Sequence, residues 1–370
     1  MGIQIEQATD LLTATLAKFK PNQFEIALES QTAEIVNRWF KKDKTVIDGG
    51  DSVKFYIQLK RSNNATHTRL YDTDDVNVAQ VMTTGSVNWT HARTAWAFDV
   101  REIAMNKGNP QRIFSLLEAR VKAAHHDLII ELEEAAWRTP SSSTDDLSPH
   151  GIPAWLAQAD ADSETGDFTG YVGDYTTAAD GESAYSSVAG IACTSTTNPL
   201  WANFYADHNN LLDDSLLKLL SRAMLKSKFE TPEVAGQSLD PKSNFSNFRL
   251  YTSSNVILEL EELARKSDDR VGYDLGKYAG ATIFKGVPFK WVADLDTELT
   301  YVRGADPIYG INHNHFYPIV LADNNFRKSA PAKKAGSHNV MEGFVDLTYA
   351  YVCDNRRTGG FLISDWEGGN

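Results

Sequence analysis

The chain has 370 residues, 42% of them hydrophobic and 23% charged, so it exceeds what one compact core ordinarily serves and excludes global disorder. A formal charge of −13 excludes a dedicated nucleic-acid binder, which needs a basic face to displace counterions from phosphates, but not a protein that only stands near DNA. Two cysteines, Cys193 and Cys353, exclude a disulfide framework or a four-thiolate zinc site, and a reducing compartment fits.

In chain order, the opening MGIQIEQATD has neither a basic n-region nor an apolar h-region, and Glu6 stands where a myristoylation signal needs Ser or Thr. No apolar run approaches a bilayer span, so a soluble intracellular product is expected. Leu11, Leu12, Leu16 and Phe19 fall at helical spacing over residues 3–20, and Pro21 ends that helix. A second helix is expected from about Phe24 to Phe40, before KKDKTVIDGGD. In SVKFYIQLK, Val53, Phe55, Ile57 and Leu59 alternate with Lys54, Tyr56, Gln58 and Lys60, which is strand spacing with one buried face. A turn at RSNN and a second extended run, ATHTRLY, follow. GSVNWTHARTAWAFDV has strand composition but poor alternation, with polar groups on both faces from Ser86 to Thr94. Such a ribbon is expected to lean on another surface, since an isolated hairpin is marginal in water.

NPQRIFSLLEARVKAAHHDLIIELEEAAW, residues 109–137, then reads as one rod of roughly 42 Å at 1.5 Å per residue. Asn109 is placed to cap it, Pro110 fits the first turn, and Ile113, Leu117, Val121, Ala124, Leu128, Leu132 and Ala135 form a stripe that reads as core. His125 and His126 point about 100° apart on a helix, poorly placed to share a metal. Between Arg138 and Lys218 there is no Lys or Arg, and the segment reads as an acidic, loop-rich insertion. The arm (Arg38, Lys41, Lys42) and hairpin (Lys60, Arg61, Arg69) carry complementary charge. Two readings stand: solvated surfaces of opposite sign, or a contact between copies.

From Leu211 the pattern is mixed α/β. DDSLLKLLSRAMLKSKF and SNVILELEELARKSD read as helices, FRLYTS as a strand, and ATIFKGVPFKWVADLD as two strands bent at Gly286. IYGINHNHFYPIVL reads as a strand pair or one bent strand, and DLTYAYVCDNRRTGGFLIS as strands around a turn.

Chemistry is mostly missing. There is no G-x-S-x-G, P-loop or dinucleotide fingerprint. DADSETGD fails the calcium-loop pattern, with Thr165 in the glycine place and Tyr171 in the glutamate place. His313 and His315 would share a strand face, without a third ligand at telling spacing. Arg356 and Arg357 read either as an exposed β-turn or as an inter-subunit salt-bridge site.

The ordered set of parts carries a resemblance: DGGDSVKFYIQL, then WTHARTAWAFDVREIAMNKG, the rod, LWANFYADHNNLLDDSLLKLLSRAMLKSKFETP, FKGVPFKWVADLD with IYGINHNHFYPIV, and DLTYAYVCDNRRTGG. It resembles the major capsid proteins of tailed bacteriophages, the HK97-like fold, over most of the chain and least over the acidic segment. The resemblance implies an α+β fold with an N-terminal arm (1–48) and an extended β-hairpin loop (49–100) that lies across a neighbouring subunit. It implies a peripheral domain (101–210) with its spine helix at 109–137, an α/β axial domain (211–335), and return strands of the peripheral domain (336–370).

It further implies a structural protein without catalytic turnover or cofactor, one that assembles with itself as pentamers and hexamers into an icosahedral virion shell around double-stranded DNA. A separate scaffolding protein, a portal and a decoration protein are the other partners implied, and no membrane. Acidity suits an inner wall along which a genome must slide. No cleavable pro-segment and no Lys–Asn cross-link are expected. The candidate contacts between subunits are Arg38, Lys41, Lys42, Lys60, Arg61, Arg69, Trp89, Arg93, Arg356 and Arg357. The rival readings are an encapsulin-type compartment shell and a metal-dependent enzyme using the acidic loops with His313 and His315.

Overall fold

The computed structural model describes residues 33–59, 67–70, 81–105, 110–140, 145, 147–158, 169–173, 175–176, 184–185, 187–193, 198–227, 247–267, 282–297 and 304–365. The helix expected over 3–20, most of that expected over 24–40, the cap Asn109 and most of the acidic run from Asp160 lie outside those residues.

The described chain begins with α1 (Glu34–Arg38), which passes into a π-helical turn, Trp39–Asp43. Ile35, Val36, Trp39 and Phe40 are all buried, so this short element is held by packing and not by its own propensity. Strands β1 (Thr45–Ile47), β2 (Val53–Gln58), β3 (Met82–Val87) and β4 (Thr90–Asp99) follow, then α2 (Val100–Met105) and the rod α3 (Pro110–Ala136). The rod's 27 residues give about 40 Å. Ala124, Leu128 and Leu132 of the predicted stripe are buried, and the stripe closes on Ala136 and Trp137, Ala135 being only half-buried.

Next come α4 (Ile152–Trp155), β5 (Thr169–Val172), the short pairs β6 (Tyr175–Thr176) with β7 (Ala184–Tyr185) and β8 (Ser187–Val188) with β9 (Ile191–Ala192), and β10 (Asn203–Asp207). Two helices of the mixed region, α5 (Asp214–Lys226) and α6 (Ser254–Ser267), flank β11 (Phe248–Thr252). The chain ends with β12 (Ile283–Phe284), β13 (Val287–Trp291), β14 (Ala305–Asn312), β15 (Phe316–Leu321), β16 (Arg327–Lys328), β17 (Ala332–Lys333), β18 (Val340–Cys353), α7 (Arg356–Gly359) and β19 (Gly360–Asp365). The bend predicted at Gly286 is a two-residue hairpin. Lys285 (φ 47°) and Gly286 (φ 84°) both take positive φ, as a type I′ turn demands.

Two sheets organise these strands. In the six-stranded sheet, β18 is the spine. β15, β16 and β17 pair in series along one edge, and β4 pairs along the other over ten residues, from Thr90 opposite Tyr349 to Asp99 opposite Val340. β1 closes the sheet, parallel to β15. The seven-stranded mixed sheet runs β12-β13-β11-β14-β19-β10-β5.

Two of its strands, β5 and β10, come from the segment expected to be a loop-rich insertion. Ile152 to Ala157 and Trp201 to Asp207 are buried throughout, so its acidity conceals some of the densest core in the chain. β19, expected with the return strands of the peripheral domain, joins the seven-stranded sheet instead.

Besides the long passage from β4 to β5 through the rod, the chain crosses between these sheets by two short links, at residues 313–315 from β14 to β15 and at 354–359 from β18 to β19. The crossings hold each other. The Asp354 N–H donates to His315 O at 3.2 Å, and His315 Nδ1 lies 2.7 Å from Asp354 Oδ1. One core joins the inner face of the seven-stranded sheet (Tyr205, Tyr251, Tyr309, Leu362) to the six-stranded sheet, the rod and α1. A second core lies on the outer face, where α5 (Leu216, Leu220, Ala223) and α6 (Val256, Leu260) cover Phe204, Phe248, Ile308 and Phe361.

Candidate assembly surfaces

Three structures fix what this chain presents outward: the clasp on the arm, the seat of the hairpin and the junction at Arg356. The clasp is built on Glu133, 6% exposed near the end of α3. Its carboxyl accepts the Val36 N–H at 2.9 Å and the Trp137 indole N–H at 3.1 Å. Burial pushes its pKa up to about 7, against the opposing pull of those donors. Just past α1, in the π-helical turn, the Trp39 indole N–H donates to His313 Nδ1 at 3.0 Å, and Tyr251 Oη lies 2.9 Å from His313 Nε2.

Burial, with Arg38, Arg249 and Lys42 nearby, holds His313 well below the usual imidazole pKa. The ring is therefore neutral. Because Nδ1 accepts, the proton sits on Nε2 and is donated to Tyr251. Asp43 Oδ2 lies 4.0 Å from Nδ1 but is engaged by Arg38 Nε at 3.1 Å.

His313 and His315 thus lie in a turn, not on one strand face, and each is committed to its own partners. That corrects the reading of the two as a shared metal pair. Among the described residues no group of three or more His, Cys, Asp and Glu side chains is gathered as ligands would be.

The hairpin β2–β3 is seated on its own chain. Val53, Phe55 and Leu59 are buried, as the period-two pattern predicts, Ile57 is only half-buried, and Val87 across the hairpin is buried as well. The Phe55 ring centroid lies 6.2 Å from that of Trp155 and 6.1 Å from that of Trp201. Gly85, opposite Phe55, leaves room for that ring, since a Cβ there would collide with it. The Ser86 N–H donates to Ala189 O at 3.0 Å. The ribbon expected to lean on another surface does so within its own chain: the hairpin's base is packed in the main core, and β4 is a full strand of the six-stranded sheet. Lys54, Tyr56, His67, Arg69 and Leu70 are exposed.

Arg356 is fully buried. Its Nε–H donates to Trp155 O at 2.8 Å, Nη1 to Gly173 O at 2.6 Å and to Trp201 O at 3.1 Å, and Nη2 to Asn203 Oδ1 at 2.9 Å. Asn203 in turn pairs with Ala157 like a strand neighbour, through N–H to Oδ1 at 3.1 Å and Nδ2–H to O at 2.8 Å. The rigid guanidinium fork therefore ties the second crossing to the segment before β5 and to β10. This overturns its reading as a group offered to a neighbouring subunit.

Of the other expected contacts, Arg38 is turned inward to Asp43 and Asn247. The Trp89 indole donates to Gly50 O at 2.9 Å, and Arg357 lies 3.9 Å over the Tyr171 ring. Lys41, Lys42, Arg69 and Arg93 are exposed, Arg93 lining a groove of about 500 Å³ with Asp127, Glu131 and Arg138. Lys60 and Arg61 lie outside the described residues.

Sequence reading missed two features. Glu133 was hidden as a polar residue beside the rod's stripe. Lys218, Arg222 and Lys226 do not stand among the contact candidates, although their i, i+4, i+8 spacing places them on one exposed face of α5.

No protein-family profile and no curated protein matches the chain. Solved structures do. The fold is similar to the capsid of cyanophage A-1(L), with a TM-score of 0.57 and 12% identity over 86% of this chain and 90% of that one. It is similar to the capsid of a native GTA particle, with a TM-score of 0.53 and 10% identity over 94% and 95%. Cyanophage Pam1 capsid gives 0.50 and 10% over 96% and 98%. The fold is therefore the HK97-like α+β fold of phage capsids. Among the described residues no helix is long and apolar enough to cross a membrane.

Proposed function

We propose that this chain is the major capsid protein of a tailed phage, a structural protein that assembles with itself into the icosahedral shell around the genome. The observation that carries this is the extent of the likeness. It runs through nearly the whole of both chains, 94% and 95% in the case of the GTA particle capsid. A shared sheet or domain would cover only part of either partner. The net charge of −13 supports a shell wall that does not grip phosphates.

In this reading arm, hairpin and α5–α6 layer meet copies of the chain, while scaffold, portal and decoration proteins act from outside it. The test is electron microscopy and sedimentation of the purified chain, expressed with and without its scaffold. Closed hollow particles are expected. A compact monomer under every condition overturns the proposal. Denatured particles are expected to run as a monomer-sized band, since no cross-link is proposed, and a ladder overturns that part.

A further inference from the structure

The outer helical layer of the seven-stranded sheet carries two unlike faces. Helix α5 shows solvent Lys218, Arg222 and Lys226, three cations spread over about 12 Å at 1.5 Å per residue. Among them Leu225 is 77% exposed. These side chains, with Ser221 and with Asp214 at the start of the helix, line an open groove of about 650 Å³. Helix α6 shows solvent Leu258, 64% exposed, flanked by exposed Glu259 and Glu261. The α5 face is thus a large exposed leucine among three cations, with one carboxylate, Asp214, at the start of the helix, and the α6 face is a large exposed leucine beside two carboxylates.

The positions match as well. Both helices lie on the same sheet face, because both close the same core. α5 rests on β10 and β19, toward one edge of the sheet, and α6 rests on β13 and the 293–296 turn, toward the other. Four strand spacings, about 19 Å, separate β13 from β10. Glu259 lines a groove with Leu212 and Asp213 at the start of α5, yet among the described residues no ion pair joins Lys218 or Arg222 to Glu259 or Glu261. Copies set head to tail bring them together, and a head-to-tail contact repeated by rotation closes into a ring.

We propose that the α5 face of one copy docks on the α6 face of the next, Leu225 against Leu258, with Lys218 and Arg222 set against Glu259 and Glu261. The partner is a second copy of this chain, and the contact is the one that closes rings within the shell, so the inference rests on the shell reading above.

The experiment is a charge swap in the full chain, scored by particle yield against protein concentration at fixed salt, with circular dichroism and melting as folding controls. All four positions are exposed, so folding is unaffected. Lys218→Glu with Arg222→Glu, or Glu259→Lys with Glu261→Lys, raises the concentration needed for particles by about tenfold or more, because like charges then face each other. The quadruple variant, with both signs exchanged, returns it to within about threefold of the unaltered chain, because every pair is opposite again. Particles from both double variants at unaltered concentration overturn the contact and leave the shell reading standing. Failure of the quadruple variant to recover also overturns it. Absence of particles from the unaltered chain is the separate result that overturns the shell reading itself.

Discussion

Strands β10 and β19 are buried along their whole lengths and β14 along most of its length, whereas β4 alternates exposed and half-buried residues after its first position. The seven-stranded sheet has a core on each face, both supplied by this chain. The outer end of the six-stranded sheet does not. There, Trp96 and Phe98 stack at 6.1 Å with planes 9° apart, Gly343 making room beneath Trp96, yet both rings stay half-exposed. One sheet is completed by its own chain. Among the described residues the far half of the other is covered only where the rod reaches it, and in the proposed shell it is the place to look for a neighbour's contribution.

The sharpest way to break this contrast is at Arg356. Arg356→Met should cost about 3–5 kcal/mol, read as a fall in the urea midpoint or as loss of soluble protein, because the carbonyls of Trp155, Gly173 and Trp201 lose their donor inside the core. A neutral result would mean that the seven-stranded sheet is not closed at that junction. Phe55→Ala should come next, at about 3 kcal/mol, with faster hydrogen exchange over 82–87, since it empties the space between Trp155 and Trp201. Unchanged exchange there would place the hairpin's seat elsewhere.

The clasp gives a pH signature. Glu133 has a folded pKa of about 7, above its ordinary 4.5, so the folded chain holds that proton more tightly than the unfolded one. Its contribution is greatest below pH 4.5 and is lost as pH rises through 7, by roughly 3 kcal/mol over the window. Glu133→Gln should remove that slope from urea midpoints between pH 5 and 8. His313 acts in the opposite sense, since its depressed folded pKa makes stability fall as pH drops below 6.5. The Glu133→Gln difference against the unaltered chain isolates the carboxyl. The smallest effect expected is Trp96→Ala, about 1 kcal/mol or less in the isolated chain because the ring is half-exposed, with a much larger loss of particle yield. A large loss of monomer stability would show that end of the sheet to be complete already.

Local pattern was legible where burial follows period. Val53, Phe55 and Leu59 gave their inner face away by alternation, and Leu128 and Leu132 by helical spacing. Asn355 was legible as a turn former, and its side chain does accept from the Arg357 and Thr358 N–H groups. That Arg356 beside it is buried was not legible, because its acceptors stand 153 to 201 residues away in sequence. The partner of β4 is equally remote, so its polar residues read as a strand without a support. In the acidic segment, charge density set the reading and outweighed the apolar runs IPAWLA and WANFYA, which form core. The contact candidates failed where a charge was taken as exposed because of its type. They did not include Lys218, Arg222 and Lys226, whose spacing carries a face only once the helix is seen to bury its other side.

The paired crossings at 313–315 and 354–359 make a double seam between the sheets. A single strand of chain would act as a pivot; two, bonded to each other at the same point, remove that freedom. The body of the molecule is then stiff at this point, and in the proposed shell the curvature would be set by the angles at which copies meet rather than by flexing inside any one of them.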